Sequence, residues 1–303
     1  MGDSAAFEEL IGPFRGELRA HCYRMLGSVD DAEDAVQETL LRAWRALPTF
    51  EDRGSVRPWL YKIATNRCLT LLESRGRRAL PTDFGSGAPL TEIEWLQPWP
   101  TPESVGADVR YLARESVELA FVAALQHLGA RQRAVLVLRE VLDFSAREVA
   151  DLLDTTVASV NSALQRARKT LGPRQPPQPA LPDDAIQALA QQYATAWELG
   201  DVDTIVCMLT EDAKYSMPPL PQWYQGHDDI KEFLVTGPLT SRWRFLPARA
   251  NGQLAFATYL WDEEKAAYVP GGLDILTLRG DRVAEVVSFL SANLDEFLDS
   301  PGL

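Results

Sequence analysis

A helix predicted over residues 157–171 carries polar and cationic side chains on one face and apolar side chains on the other. The polar face consists of Ser159, Asn161, Ser162, Gln165, Arg166, Arg168 and Lys169. An α-helix fits the DNA major groove, where Asn, Gln and Arg pair with base edges and terminal cations suit phosphates. The pattern is equally typical of a plain helical hairpin with a solvated face, and periodicity alone does not separate the two.

A second helix, predicted from Pro58, places an aromatic ring among amides and cations. Its candidate nucleic-acid residues are Arg53, Arg57, Trp59, Lys62, Asn66 and Arg67. Single-stranded nucleic acid is bound by such a mixture, because bases stack on aromatic rings while cations neutralise phosphates. The alternative is that Trp59 is a core residue.

Helical periodicity explains how both faces are positioned. Ser145 and Glu148 form a capping box for a helix over about 146–153, and a short turn separates it from the helix at 157–171, as in a helix-turn-helix. Upstream, apolar residues in 30–46 repeat with a period near 3.6. Asp31, Asp34, Glu38 and Leu41 lie on the opposite face of that segment, which without context would be a solvated surface.

Proline-rich stretches at 79–104 and 172–182 divide the chain of 303 residues into units at 1–78, 105–171 and 183–303. The net charge is −13, and residues 176–303 carry −11 of it, so a polyanion partner is compatible with the first units and unfavourable for the last. No apolar run is long enough to span a membrane, and no signal-peptide pattern opens the sequence. Three scattered cysteines and three scattered histidines predict neither a disulfide framework nor a metal site. The expected location is the cytoplasm, and no cofactor is expected.

The third unit changes character after two predicted helices, at about 184–199 and 202–209. Five alternating, aromatic-rich segments follow: AKYSM, SRWRFLPARA, QLAFATYLW, AAYVPGGLDILTLRG and RVAEVVSFLS. Alternation of this kind predicts strands of a curved antiparallel sheet. Helices followed by a run of strands favour an α+β unit.

Three segments together resemble a bacterial sigma factor of the extracytoplasmic-function group: DDAEDAVQETLLRAWRAL, RPWLYKIATNRCLTLLESRGRR and LGARQRAVLVLREVLDFSAREVADLLDTTVASVNSALQRARKTL. The resemblance covers about residues 5–171. It implies that 1–78 binds the polymerase clamp and reads the −10 element, and that 105–171 reads the −35 element. It further implies that Asp31, Asp34, Glu38 and Leu41 contact the polymerase core, that the Arg53–Arg67 segment opens the duplex, and that the helix after Thr155 enters the −35 major groove.

Residues 183–303 are similar to SnoaL-like domains, which are cone-shaped α+β barrels with one apolar pocket. The chain is then multidomain, with two all-α domains, the second containing a helix-turn-helix, before the α+β domain. Aromatic side chains are candidates to line a pocket for a small apolar ligand, although most are also compatible with a core role: Tyr215, Trp223, Tyr224, Trp243, Tyr259 and Trp261. Related enzymes hold an acid/base pair there, for which His227 or Asp274 with Tyr215 or Tyr259 are the candidates. A surface capping role is favoured for His227.

The sequence therefore predicts a sigma factor that binds core RNA polymerase and promoter DNA without covalent chemistry of its own. Its acidic third unit is hypothesised to modulate activity in cis through the tether. The motif EWLQPWP within the first linker is expected to dock on the third unit or in the polymerase channel, or to form a local packing patch. Two alternatives are an enzyme or small-molecule sensor fused to a DNA-binding module, and a stand-alone repressor.

Overall fold

The structure is a computed structural model that describes residues 2–50, 56–74, 78–83, 94–100, 117–172 and 181–298. It comprises two compact units, and the chain passes through each of them twice. The helical unit contains Met1–Arg78 and Leu119–Gln175, and the mixed unit contains Ala79–Glu118 and Pro176–Leu303.

The first half of the helical unit is built from four helices. They are α1 (Gly2–Ile11), α2 (Arg15–Leu26), α3 (Val29–Ala46) and α4 (Val56–Ser74). The Ser28 hydroxyl caps α3 by accepting a hydrogen bond from the backbone N–H of Asp31. The buried sides of α2 and α4 include Leu18, Cys22, Leu60 and Cys68, so both helices pack through apolar stripes.

The second half of the helical unit contains the helix-turn-helix. Its helices are α5 (Leu119–Gln126), α6 (Ala130–Leu136), which continues into a π-helical turn (Val137–Val141), α7 (Ala146–Leu152) and α8 (Val157–Leu171). The capping box predicted for Ser145 and Glu148 is present at the start of α7. The turn to α8 contains Asp154 at φ 47°, in the left-handed region that non-glycine residues rarely adopt.

The mixed unit begins with α9 (Asp183–Leu199) and α10 (Val202–Cys207). The remaining elements are β1 (Leu209–Ser216), β2 (Trp223–Gln225), α11 (His227–Thr236), β3 (Trp243–Ala250), β4 (Gln253–Asp262), β5 (Ala267–Arg279) and β6 (Arg282–Phe289). The sheet order is β2-β1-β6-β5-β4-β3.

The sheet is mixed, which corrects the antiparallel sheet predicted from sequence. Strands β1 and β6 pair in parallel, whereas the other neighbours are antiparallel. Alternation reports which face a residue occupies but carries no information about the direction of a distant partner strand. Strand β2, which the sequence analysis missed, has three residues and is too short to show alternation.

One face of the sheet, called the inner face here, packs against α9. The Tyr193 ring of α9 stacks on Phe256 of β4 with ring centroids 5.2 Å apart, and Trp197 stacks on Phe245 of β3 at 4.9 Å. Aromatic rings thus fill the space between helix and sheet. Within the described residues, no helix is both long and apolar enough to cross a bilayer.

The described parts of the first linker belong to the mixed unit. Ala79 forms a parallel β-bridge with Trp95, and Pro100 forms an antiparallel bridge with Ala250 at the end of β3. Leu80, Leu96 and Trp99 are buried. Residues 79–83 and 94–100 are therefore packed segments of this unit. The EWLQPWP motif thus packs on the third unit, which is one of the two docking sites predicted for it.

Candidate nucleic-acid interface and C-terminal interior

The polar face of α8 is open along its whole length. All seven candidate DNA-contacting residues are exposed: Ser159, Asn161, Ser162, Gln165, Arg166, Arg168 and Lys169. Val160, Ala163, Leu164 and Ala167 form the buried side of the helix. Arg168 is held by an ion pair in which its Nε lies 2.5 Å from Glu140 Oε1. The helix thus presents amides and cations to solvent, as groove reading requires.

The candidate face of α4 is only partly open. Asn66 is exposed, whereas Lys62 and Arg67 are half-buried. Trp59 is half-buried as well, and its ring lies against Phe50 with centroids 4.4 Å apart. The two rings are inclined by only 30°, so one face of the Trp59 ring is already covered by Phe50. Arg53 lies outside the described residues.

Two cations of the α4 face contact the helix-turn-helix half. The Arg57 guanidinium donates to the Leu142 carbonyl at 3.4 Å and lies 4.7 Å from the centroid of Phe144. The Lys62 ammonium donates to the Asp151 carbonyl at 3.1 Å and to Asp154 Oδ1 at 2.6 Å. These protein acceptors occupy the donors that phosphates would need.

The acidic helix α3 has its candidate polymerase residues in different surroundings. Asp34 and Leu41 are exposed. Glu38 pairs with Arg42 at 2.7 Å, and this hydrogen bond holds its pKa below the usual value. Asp31 does not share the exposed face, because it is buried in an ion pair with Arg78 at 2.7 Å. Arg78 lies 47 residues downstream, so periodicity within α3 could not reveal this partner.

Trp44 is an exposed aromatic on α3 that the sequence analysis did not select. Its side chain is 40% exposed, and its ring meets Phe7 edge-on at 5.1 Å. An exposed tryptophan next to an exposed leucine has the composition of a protein-binding surface. The signal was present in the sequence as an aromatic residue off the apolar stripe of α3.

A carboxyl group lies at the centre of the mixed unit. Asp274 of β5 is opposite Ser288 of β6, and β1 places Tyr215 on the same side. Burial raises the pKa of Asp274 to about 6, and hydrogen bonds from the Ser288 and Tyr215 hydroxyls limit the increase. Burial, with the nearby Asp274, also raises the pKa of Tyr215 well above its usual value. Of the acid/base candidates, the structure brings Asp274 and Tyr215 together.

The other two acid/base candidates lie elsewhere. His227 is the first residue of α11, and its Nε2 is 3.3 Å from the Leu209 carbonyl. Tyr259 projects from the opposite side of β4 to Phe256, because side chains alternate along a strand. Neither is a direct partner of Asp274.

The six candidate pocket aromatics divide between the two sides of the sheet. Tyr215 belongs to the inner core, and Tyr224 and Trp243 pack against it. Trp223 instead lies under the Lys214 ammonium, and Trp261 meets Tyr268 edge-on, so neither joins that core. The interior also contains Tyr193 and Phe256, which the candidate set lacked.

A glycine sets the position of one interior ring. A Cβ atom at Gly271 would lie 2.6 Å from the Trp243 ring, far inside contact distance. The Pro270-Gly271-Gly272 stretch of β5 therefore allows Trp243 to lie directly against the strand. Any larger residue at 271 would displace that ring.

One asparagine contacts two points, Trp99 and Val117, of the segment that joins the two halves of the helical unit. The Asn251 Nδ2 group donates to the Val117 carbonyl at 2.7 Å, and its Oδ1 accepts from the Trp99 N–H at 2.8 Å. The Asn251 backbone N–H donates to the Trp99 carbonyl at 2.8 Å. Asn251 is completely buried at φ 53°, in the Asn-Gly turn between β3 and β4. This contact could not be predicted from the sequence, because Asn-Gly indicates a hairpin turn and gives no information about a distant partner.

Comparison with known proteins agrees with this arrangement in order and extent. Residues 10–78 match the family model Sigma-70 region 2, residues 118–171 match Sigma-70, region 4, and residues 190–286 match the SnoaL-like domain. Two promoter-recognition domains of the sigma-70 type followed by a SnoaL-like domain define a class of transcription-initiation factor.

Relatives with the same extent refine that assignment. The ECF RNA polymerase sigma factor SigG of Mycobacterium tuberculosis is 44% identical over 310 residues, covering 97% of this chain and 82% of the relative. SigJ of the same species is 30% identical over 314 residues, covering 95% of this chain and 92% of SigJ. The crystal structure of SigJ superposes with a TM-score of 0.65 at 24% identity, covering 98% of this chain and 99% of SigJ. The chain belongs to the ECF sigma factors.

Proposed function

We propose that this sigma factor reads the −35 element with the open face of α8. The observation that carries the proposal is the exposure of all seven polar and cationic residues on one side of α8, above a fully buried apolar stripe. Asn161, Gln165 and Arg166 have the chemistry for base edges, and Lys169 suits phosphates at the far end.

The −10 element is assigned to α4 on its side-chain chemistry. Trp59 supplies a ring for a base to stack on, while Lys62, Asn66 and Arg67 supply donors for the single-stranded backbone. Arg53 and Arg57 complete the cationic set. Asp34, Glu38 and Leu41 are the proposed polymerase contacts on α3, which places the activity in the cytoplasm with the polymerase. The factor itself performs no covalent step.

The SnoaL-like domain is proposed to modulate this activity in cis through the linker. The support is the pair of Asn251 side-chain hydrogen bonds, which fix the backbone at Trp99 and Val117 together. Loss of these bonds frees the chain between the two promoter-reading domains. An Asn251→Ala variant tests this more cleanly than truncation, because truncation would remove the surface on which the linker packs and expose the buried side chains of Leu80, Leu96 and Trp99.

Run-off transcription with core polymerase tests the sigma-factor assignment. An Asn161→Ala/Gln165→Ala variant is expected to lose promoter-directed transcript, because each good base contact contributes about 1–3 kcal/mol. Thr170→Ala is the matched control, since Thr170 is exposed on the same helix and its hydroxyl donates to the Arg166 carbonyl. Equal transcription by the double variant and the control would contradict the assignment of α8. Tight duplex binding without polymerase would favour a repressor.

A second candidate function, ligand binding, has a specific observation in its favour. The Tyr193 hydroxyl and the Trp197 Nε1 group are buried in the interior without a hydrogen-bond partner. Burial and the nearby Asp274 raise the pKa of Tyr193 well above its usual value, and the neighbouring Trp197 indole only limits the increase. Because buried polar groups are normally paired, a small apolar ligand with one carbonyl or hydroxyl group suits this site.

Thermal-shift measurements on the full chain with neutral cyclic ketones and alcohols test ligand binding. Stabilisation that disappears in Tyr193→Phe supports it. Absence of a shift across the panel argues for a purely structural interior. Turnover that depends on Asp274 would instead support the enzyme alternative.

A further inference from the structure

The contacts of Lys62 and Arg57 are part of a larger interface inside the helical unit. The Tyr61 ring of α4 meets Phe144 edge-on at 5.3 Å, and the Arg57 guanidinium lies over both rings. Together these side chains bring the loop before α7 against the start of α4. The helix-turn-helix half therefore covers the N-terminal part of the α4 face.

A buried cation anchors the same interface further along. Arg133 of α6 is 3% exposed. Its guanidinium donates to the Met25 carbonyl of α2, to Gln126 Oε1 at 2.6 Å and to the Gln126 carbonyl at 3.2 Å. The bonds to Gln126 fix the guanidinium within its own half, and the bond to Met25 links α6 to α2, because separating the two helices would leave the Met25 carbonyl without this donor. The covered arrangement is thus a well-defined state of the unit.

Asp154 has the chemistry of a phosphate substitute at this interface. Its carboxylate is an anion within 2.6 Å of the Lys62 ammonium, at the tip of the turn between α7 and α8. The backbone there is left-handed, a conformation that costs an aspartate more than a glycine. Despite that cost, the residue at the turn supplies a negative charge to the cation of α4.

We propose that the helix-turn-helix half acts as an internal competitor for the −10 strand, with Asp154 taking the place of a DNA phosphate on Lys62. The inference rests on the proposed function, since it assumes that the α4 face binds single-stranded DNA. Binding of the strand then requires the Lys62–Asp154 pair and the Arg57–Leu142 contact to open first. The apparent affinity of the free protein then equals the intrinsic affinity multiplied by the fraction of molecules in the open state.

Removing the charge of Asp154 tests the competition directly. Asp154→Asn keeps the size and the turn preference of the side chain and removes its charge. We expect a fluorescently labelled, mixed-sequence single-stranded DNA to bind this variant about two- to fivefold more tightly at low salt, the range for an exposed ion pair. Asp143→Asn is the matched control, because Asp143 is also an exposed aspartate with positive φ in this half. Equal affinity of the wild type and Asp154→Asn would overturn the proposal.

A distance measurement reports opening without relying on affinity. Spin labels at Gln37→Cys and Ala158→Cys, both exposed, are placed in the full chain with exposed Cys207 replaced by serine. The labelled DNA is expected to lengthen or broaden the label separation, and Asp154→Asn is expected to do so partly without DNA. A separation that stays unchanged when DNA binds would overturn the competition.

A double variant separates failure of this inference from failure of the proposed function. In the Asp154→Asn background, Lys62→Ala is expected to weaken DNA binding, because the phosphate contact is removed while the charged pair with Asp154 is already absent. If Lys62→Ala has no effect in that background, the assignment of α4 to the DNA strand fails. If it weakens binding while Asp154→Asn alone has no effect, the assignment stands and the competition fails.

Discussion

The α4 and α8 faces carry similar side chains in different surroundings. Both combine amides with cations, yet α8 presents its set to solvent while α4 has Arg57 and Lys62 engaged by acceptors of the other helical half. Composition therefore gives both faces the same proposed role, and long-range packing decides which of them is exposed to solvent. Under the proposed function, α8 can bind duplex DNA as it stands, whereas α4 must first lose its contacts to the other helical half.

The largest expected effect concerns the anchor of the covered state. Arg133→Ala leaves buried carbonyls of Met25, Gln126 and Leu128 without their donor, so we expect the free energy of unfolding to fall by about 3 kcal/mol. Urea unfolding of the full chain measures it. Arg131→Ala, at an exposed position of the same helix, is expected to change stability by less than about 0.5 kcal/mol. Similar losses in the two variants would show that Arg133 is not an anchor.

Acid is expected to weaken the packing beneath α4. His21 is buried, its Nε2 is 2.9 Å from Thr65 Oγ1 of α4, and burial with the nearby Arg24 lowers its pKa from 6.5 to about 3. The unfolded chain takes up this proton first as pH falls. Stability is therefore complete above pH 6.5 and is lost towards pH 3, by at most about 1.4 kcal/mol per pH unit. Unfolding measured from pH 8 to 4 should show a shallower slope in His21→Asn, and an unchanged slope would contradict the assignment.

The salt dependence of DNA binding distinguishes the two faces. Lys169→Ala on the open face is expected to reduce the slope of log affinity against log salt for mixed-sequence duplex DNA by about 1, as for one lost phosphate contact. Lys62→Ala should change the slope for single-stranded DNA by about 0.7 only after Asp154 has been neutralised. A full change in slope from Lys62→Ala alone would show that the α4 face is already open.

The smallest expected effect comes from the aromatic cover. Phe144→Leu keeps an apolar side chain but removes the ring that contacts Arg57 and Tyr61, a loss of about 0.5–1 kcal/mol. We expect the ratio of covered to open molecules, followed by the label separation described above, to decrease by about two- to fivefold. An unchanged label separation would show that Phe144 stabilises only the helix-turn-helix half and not the covered state.

Local features of the sequence predicted local structure well. The capping box at Ser145 and the apolar period to Leu171 predicted the helix-turn-helix, and α8 has the predicted bounds. The exposure of the α8 face could be predicted from its local sequence alone, because no distant segment among the described residues covers it. Family resemblance supplied the −10, −35 and polymerase roles, which residue chemistry alone left open.

Features that depend on distant partners were not predictable. The burial of Asp31 depends on Arg78. The direction of β6 relative to β1 depends on the path of all the strands and helices that lie between them in the sequence. Trp223 and Trp261 were grouped with Tyr215 by residue type, although alternation along β2 and β4 puts them outside the inner core. Aromatic content predicts that the rings will be buried, but the pairing and alternation of the strands determine which side chains each ring packs against.

The hairpin turn at Asn251-Gly252 makes the linker sensitive to slow chemical ageing. Asn-Gly is the dipeptide most prone to deamidation, because the glycine has no side chain to hinder attack of its own backbone nitrogen on the asparagine side-chain amide carbon. Conversion of Asn251 to aspartate would exchange the Nδ2 donor for an acceptor, leave the Val117 carbonyl unpaired and bury a negative charge. Burial and hydrogen bonding protect the Asn251 amide from deamidation while the linker stays in place. We therefore expect deamidation of Asn251 and detachment of the linker to occur together. Intact-mass analysis of aged samples alongside transcription assays would reveal that correlation.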